Sequence, residues 1–397
     1  MSVPRMLCSV DPAAASATTA ATARAPRGVG LLGCGTVGSG VARRLLASHP
    51  GLIRGIAVRD PRKPRDVAWD RYSDDPFAVV DDPAVGVVVE CVGGLGLARE
   101  LVLRAIARGK DVVTANKDLI ATEGPWLAAF AARTGATLRY EAAVGGAIPI
   151  VRALGGALAA EDVVEIGGVL NGTTNFVLDA MEGGAAYGEA LAEAQRLGFA
   201  EADPRADVDG HDAAHKLAIL AGLAFRRPST SETLARRGIG LLSADDVRAG
   251  AERGLRLKLV AVARRTADGI EAGVTPAYVP VDHAFARPRG AENVVRVVGL
   301  GSGPLVFGGY GAGGDATASA VVADILAAFA ERERSADPVA KQQAGDDLRA
   351  RPLRIPVLVR YADGRIVTID GVALDALDGV RAGAGVASAI PLWRDAA

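Results

Sequence analysis

The sequence predicts an α/β protein: a Rossmann-type, doubly wound parallel sheet domain joined to an α+β domain built on an open mixed sheet. Three observations carry this prediction. A glycine-rich turn, Gly33-Cys34-Gly35-Thr36-Val37-Gly38, stands between a short apolar run and a helical pattern. Strand-like and helix-like segments then alternate in the order of a parallel sheet. Beyond about residue 150, longer strand-like runs are interleaved with alanine- and leucine-rich helical stretches.

The first strand is the run 29–32, and the helix that follows it covers 41–46. In the turn between them the first glycine permits the tight bend and the second lets the backbone approach a pyrophosphate. The third lets helix and sheet pack closely. A second strand, 52–58, follows at the distance of a βαβ unit and ends in Val58-Arg59-Asp60. An acidic residue at that strand end would bind a ribose 2′-hydroxyl, whereas Arg59, with Lys63 and Arg65 beyond it, suits a 2′-phosphate. The reading leans towards NADP over NAD, with a merely solvated basic loop as the alternative. Strands at 85–91 and 111–114 flank a helix at 95–107. The latter strand runs into Thr114-Ala115-Asn116-Lys117, so Lys117 stands where open α/β sheets gather their ligands, or else simply begins a surface helix.

The second half is read as strands 163–170, 269–281 and 294–299, with helices including 213–223 and 244–266 against one face of the sheet. Between them, the stretch 197–217 crowds Glu201, Asp203, Asp207, Asp209 and Asp212 around the start of an apolar helix whose lysine is Lys216. Asp209 and Gly210 are the expected helix start, with Asp209 as cap. Asp212 and Lys216 are four residues apart, on one face, so the carboxylate can orient the ammonium. A held, partly desolvated lysine can move protons. His211 and His215 share the helical spacing of a zinc pair but have no catalytic glutamate between them.

These motifs resemble those of homoserine dehydrogenases. The likeness runs from about residue 28 to 328 on GCGTVG at 33–38, TANK at 114–117, YEAAVGGAIPI at 140–150, LNGTTNF at 170–176, the carboxylate stretch, and GAGGDATASAVVADI at 311–325. The resemblance implies interconversion of L-homoserine and L-aspartate 4-semialdehyde by hydride transfer with a nicotinamide cofactor. It implies Lys216 as the proton-transferring residue and Lys117 as a second lysine near the cofactor and the reacting oxygen. Two ammonium groups in one cleft, with burial, are then a route to a depressed lysine pKa. Glu201, Asp207 and Asp212 match positions that hold the amino acid or orient the lysine. Gly33, Gly35, Thr36, Val37, Gly38, Arg59, Val92, Lys117, Gly198 and Gly311 match the cofactor's contacts. Glu141, Val144, Gly146 and Ile148 match a loop that binds a structural monovalent cation, usually sodium, mostly through backbone carbonyls. A homodimer is implied as well. Ala316 stands where many relatives have proline, and Cys91 also departs from the pattern; its thiol reads as a buried core group in preference to a thiohemiacetal-forming nucleophile.

The domain reading is a disordered extension over 1–26, a cofactor domain over 27–147 rejoined at about 307–330, and a substrate and dimerisation domain over 148–306. A charged connector at 331–352 leads to a short β-rich appendage at 353–397, with a hairpin around Ala362-Asp363-Gly364, too short for a full regulatory module. The net charge of −1 and the lack of basic runs interleaved with aromatics exclude a nucleic-acid footprint. No apolar run reaches the length of a membrane span. Three widely spread cysteines fit no disulfide framework, and a reducing cytoplasm is the expected compartment. Two rival functions remain: a dehydrogenase for another amino-acid semialdehyde, and a nicotinamide-sensing protein without turnover.

Overall fold

The structure is a computed structural model and describes residues 28–334 and 350–393. The expected 1–26 extension lies outside the described residues, as does most of the expected charged connector.

The first sheet holds β1 (Gly28–Leu32), β2 (Ile53–Ala57), β3 (Tyr72–Ser73), β4 (Val85–Glu90), β5 (Asp111–Thr114) and β6 (Leu138–Arg139), all parallel in the order β3-β2-β1-β4-β5-β6. Its central strands are buried on both faces, which is why β1 and β4 read as continuous apolar runs with no alternation. Helices α1 (Thr36–Ser48), α2 (Pro76–Asp81), α3 (Leu97–Ala107) and α4 (Lys117–Thr134) connect these strands. Leu101, Val102 and Ile106 of α3 and Leu119 and Leu127 of α4 fill one face; Val41 and Leu45 of α1 fill the other. The order 3-2-1-4-5-6 is that of a Rossmann sheet, as the sequence predicts.

The chain then forms α5 (Ile150–Gly155), β7 (Val163–Val169), α6 (Gly172–Glu182), α7 (Tyr187–Arg196), α8 (Arg205–Val208), α9 (His211–Phe225), β8 (Ala235–Arg236) and α10 (Ala244–Ala251). β9 (Leu255–Thr266), β10 (Gly269–Pro280), β11 (Glu292–Gly299) and β12 (Gly303–Tyr310) follow. With β13 (Ala350–Pro352) they make a mixed sheet in the order β12-β11-β7-β9-β10-β13, to which β8 adds beside β10. Leu217 and Leu220 of α9 and Val177 and Leu178 of α6 cover one face together with Leu257, Leu259, Ala261 and Ala263 of β9.

Two expectations are corrected here. The helix expected over 244–266 ends at Ala251, and 255–266 is a strand. Gly254 breaks the helix at φ 67°, and the alternation of Leu257, Leu259, Ala261 and Ala263 with Val260 and Val262 buries both faces of a strand paired to β10 along its whole length. The second concerns the return to the first sheet, expected at about 307. β12 stays in the mixed sheet to Tyr310, and α11 (Gly314–Arg334) then packs Val321 and Ile325 into the core beside α1.

Within the segment read as connector and appendage, β13 joins the mixed sheet. β14 (Arg354–Tyr361), β15 (Ile366–Ala373) and β16 (Val386–Pro391) form a separate antiparallel sheet, with α12 (Leu377–Arg381) between the last two strands. Trp393 fixes this sheet to the rest: it is 1% exposed, its ring lies 5.2 Å from that of Phe285, and its backbone N–H donates to the Tyr278 carbonyl oxygen at 2.7 Å. Trp393→Ala is expected to cost about 3–5 kcal/mol, the range for emptying a large buried aromatic site. Urea unfolding followed by circular dichroism checks this, and a change below about 1 kcal/mol would mean that the tail is held elsewhere.

Candidate active site

The strand order of the first sheet reverses between β1 and β4, so a crevice opens at their C-terminal ends. Gly33 leaves β1 at φ 90°, and a Cβ there would meet the Cys91 carbonyl oxygen at 2.6 Å. A Cβ on Gly38 would lie 2.1 Å from the Gly33 carbonyl oxygen, so the first turn of α1 presses directly on the strand end. Gly35 is the N-cap of α1 and brings no side-chain cap, which leaves the first N–H groups of Thr36 and Val37 for an anion. Past β2, Arg59 is exposed. The Asp60 carboxylate is turned onto the Arg62 N–H at 3.0 Å, and Arg65 donates to the Asp60 carbonyl oxygen at 3.0 Å.

A buried carboxylate organises the next loop. Glu90, at the end of β4, accepts from the N–H groups of Val92 (2.7 Å) and Gly93 (2.8 Å) and from Thr114 Oγ1 (2.5 Å). Asn116 caps α4 by accepting from the Leu119 N–H at 3.1 Å, and its Nδ2 donates to the Gly94 carbonyl oxygen at 2.7 Å. These bonds leave Lys117 at the first position of α4, facing the mixed-sheet half. Cys91 lies beside them. Burial, then the adjacent Glu90, push its thiol well above the usual range, which removes the thiolate that thiohemiacetal chemistry requires.

Opposite stands α9. The expected cap is corrected: Asp209 closes α8, and Gly210 at φ 81° is the N-cap of α9, because only a left-handed residue turns the chain between two abutting helices. Asp212, 4% exposed, then receives three donors: Lys117 Nζ on Oδ1 at 2.7 Å, and on Oδ2 Lys216 Nζ at 2.8 Å and Asn171 Nδ2 at 2.9 Å. Lys216 Nζ also donates to the Leu170 carbonyl oxygen at 2.8 Å. Two of its three N–H bonds are thus committed, and the third is left for a ligand oxygen. Asp207 joins the cluster through Asn171 Nδ2 at 2.7 Å.

The charges of this cluster set its protonation. Burial alone would raise the Asp212 carboxyl, but the ammonium groups of Lys216 and Lys117 outweigh it and hold it far below the usual carboxylate range. For Lys117, burial works to lower the pKa, and the Asp212 carboxylate outweighs it so that the net shift is upward. The expected depression of a lysine pKa is therefore corrected at Lys117, because the Asp212 counter-ion at 2.7 Å outweighs burial. Burial also raises Asp207, with the nearby Asp212 adding to it.

Other sequence-predicted positions lie around this core. Glu201 is exposed, and its carbonyl oxygen accepts from Gln195 Nε2 at 3.0 Å. Gly198 sits at φ 78° in the same loop, which Thr173 Oγ1 holds through the Phe199 carbonyl oxygen at 2.6 Å. His215 Nδ1 meets Asp118 Oδ1 at 2.8 Å, tying α9 to α4. In the 141–148 loop, the buried Glu141 carboxylate accepts from the N–H groups of Val151 (2.9 Å) and Arg152 (2.8 Å), and Asp324 of α11 accepts from the Glu141 N–H at 2.9 Å. Gly145 and Gly146 both have positive φ, at 74° and 56°.

Comparison with known proteins agrees with this geometry. Residues 33–141 match the family model described as homoserine dehydrogenase, NAD binding domain, and residues 149–326 match that described as homoserine dehydrogenase. The homoserine dehydrogenase of Corynebacterium glutamicum is 44% identical over 317 residues, covering 76% of this chain and 71% of that protein. The chain belongs to the homoserine dehydrogenase family. The enzyme of Neisseria gonorrhoeae is 42% identical over 312 residues, covering 76% of this chain and 72% of that protein. A crystal structure of a homoserine dehydrogenase from Thiobacillus denitrificans superposes with a TM-score of 0.85 at 38% identity, covering 93% of this chain and 98% of that one. A hyperthermophilic archaeal homoserine dehydrogenase in complex with NADPH gives a TM-score of 0.66 at 25% identity, covering 80% and 99%. As a homoserine dehydrogenase, the chain is a nicotinamide-dependent oxidoreductase that interconverts L-homoserine and L-aspartate 4-semialdehyde.

Three residues of this homoserine dehydrogenase site escape the sequence reading. Asn171 caps α6 through the Thr174 N–H at 2.8 Å while its amide nitrogen bridges Asp207 and Asp212. Asn171 lies in the LNGTTNF motif that carries the resemblance, but its contacts across to α8 and α9 are not written there. Glu90 carries no sequence signal, and Leu170, though part of that motif, acts through a backbone carbonyl oxygen whose partner only folding defines.

Proposed function

We propose that Lys216 carries the proton and Lys117 fixes the reacting oxygen during homoserine oxidation and its reverse. One observation supports this above all: a single buried carboxylate, Asp212, holds a lysine from each half of the molecule, Lys117 from α4 and Lys216 from α9. The nicotinamide supplies or accepts the hydride. In the reducing direction Lys216 donates its uncommitted proton to the oxygen of the aldehyde while Lys117 polarises the same oxygen. Asp207 and Glu201 accept hydrogen bonds from the α-ammonium of the amino acid. Asp212 keeps both lysines in place, and Asn171 keeps Asp212 and Asp207 in place.

The glycine turn at Gly33, Gly35 and Gly38, with the N–H groups of Thr36 and Val37, fits a pyrophosphate, and Val92, Gly198 and Gly311 line the remainder of the cofactor's path. NADP is the preferred cofactor: Arg59 is exposed, while Asp60 is already engaged with the Arg62 N–H at 3.0 Å and so is less free to take a ribose diol. The carbonyls of Glu141, Val144, Gly146 and Ile148 would hold a structural sodium ion, to which the consecutive left-handed glycines 145 and 146 are suited. A homodimer forms through the exposed edge of the mixed sheet at β12, where Val306 and Tyr310 are 47% and 65% exposed.

The experiment is a homoserine-dependent assay at the reduced-nicotinamide absorbance band with NADP and with NAD. Faster turnover with NADP at equal concentration is expected, and Arg59→Ala should lower kcat/KM for NADP by about 10–100-fold, the loss of one charge-assisted phosphate contact, while leaving NAD within about twofold. Equal losses with both cofactors would remove Arg59 from the 2′-phosphate site.

A further inference from the structure

We infer that Asn293 is a cofactor-binding residue whose side-chain amide pairs with the carboxamide of the nicotinamide ring. The inference rests on the functional reading above and deepens it. Asn293 is 2% exposed, yet among the described residues neither its Nδ2 nor its Oδ1 has a hydrogen-bond partner. Buried amides are nearly always paired at both ends, so this one fits a ligand group that brings both a donor and an acceptor. A primary carboxamide is such a group, whichever way the asparagine amide is turned.

Position supports the same assignment. The ladder of β11 with β7 ends at the pair Val294–Val169, so Asn293 and Leu170, whose carbonyl oxygen anchors Lys216 at 2.8 Å, are the residues that leave it at the same end. On its other side the amide presses on the turn that opens α11: a Cβ on Gly311 would lie 2.1 Å from both Cγ and Nδ2 of Asn293. That turn runs directly to the phosphate loop, since a Cβ on Gly314 would lie 2.8 Å from Thr36 Cγ2. A dinucleotide whose pyrophosphate sits at the start of α1 can therefore follow residues 314 to 311 and end with its ring between Asn293 and the lysine. The ring carbon that exchanges hydride neighbours the carbon bearing the carboxamide, so a group that holds the carboxamide sets which face meets the substrate.

The test measures binding by fluorescence titration, without turnover. Three probes are compared on wild type, Asn293→Ala and the isosteric Asn293→Asp: NADP, its 3-acetylpyridine analogue, which lacks the carboxamide NH2, and 2′-phospho-ADP-ribose, which lacks the ring. Both variants are expected to bind NADP about tenfold more weakly, equivalent to about 1.4 kcal/mol. On Asn293→Ala the analogue, which keeps only the carbonyl acceptor, should lose distinctly less; on Asn293→Asp, which keeps only acceptors, it should lose at least as much as NADP; and 2′-phospho-ADP-ribose should stay within twofold on both. An equal loss for all three probes would mean that Asn293 only braces the Gly311 turn, and no loss for NADP would mean that the amide meets no ring; either overturns the inference alone. Wild-type protein that bound neither NADP nor NAD would overturn the functional reading together with it.

Discussion

Lys216→Ala is expected to lower kcat by about 10²–10⁴-fold, the usual worth of the general acid–base role proposed for it, while NADP binding should change by less than about twofold. The fold should survive because Asp212, deprived of one ammonium, keeps Lys117 at 2.7 Å and Asn171 at 2.9 Å. Lys216→Arg sharpens the test: it keeps the positive charge but cannot give up its proton, so turnover is not rescued even where binding is normal. Steady-state kinetics in both directions, set beside a cofactor titration, check this. Turnover within tenfold of wild type in the alanine variant would transfer the proton to another group.

Asp212→Asn is expected to have the second largest effect, and on two observables. It leaves two lysines in one cleft without their shared counter-ion, so activity should fall by at least about 10²-fold. Breaking a buried ion pair costs about 3–5 kcal/mol of stability. The lower end is expected here, since the Lys117 side chain is 38% exposed and solvent screens its share. The pH dependence has a definite sign. The Asp212 pKa is depressed, so its contribution is present above the unfolded value of about 3.9 and is lost as pH falls through the folded one. The Lys117 pKa is raised, so its contribution is present below the unfolded value of about 10.4 and is lost as pH rises through the folded one. Urea unfolding of wild type and variant should therefore differ by a constant amount between about pH 5 and 10 and converge outside that window. A difference that grew towards alkaline pH would contradict the assigned pairing.

The same cluster explains why the nicotinamide-sensing alternative is disfavoured. A protein that only reads cofactor occupancy needs the glycine turn and α1, but gains nothing from holding Lys216 between Asp212 and the Leu170 carbonyl oxygen with a proton to spare. The other half of the site has a comparable economy. Glu90 and Asn116 spend their polar atoms on backbone groups of the two loops that flank the crevice, so Lys117 is delivered by backbone geometry fixed before any ligand arrives.

By itself the sequence determined what local physics encodes. The apolar runs of β1 and β4, the Gly33–Gly35–Gly38 turn and the four-residue step from Asp212 to Lys216 each follow from periodicity, glycine stereochemistry or helix spacing within a few residues. Local signals also misled where two periods compete: the alanine-rich stretch before Gly254 is a helix, and its apparent continuation is β9, since pairing with β7 and β10 buries both faces of a strand. Only the tertiary structure decided that Lys117 and Lys216 share one carboxylate, that the Asn171 amide spans two aspartates, and that Asn293 pairs with Gly309 and packs its amide against Gly311. Each of these joins residues far apart in the chain, and the Coulomb and hydrogen-bond energies that set their protonation depend on distance in space and on exclusion of water, neither of which is written in sequence order.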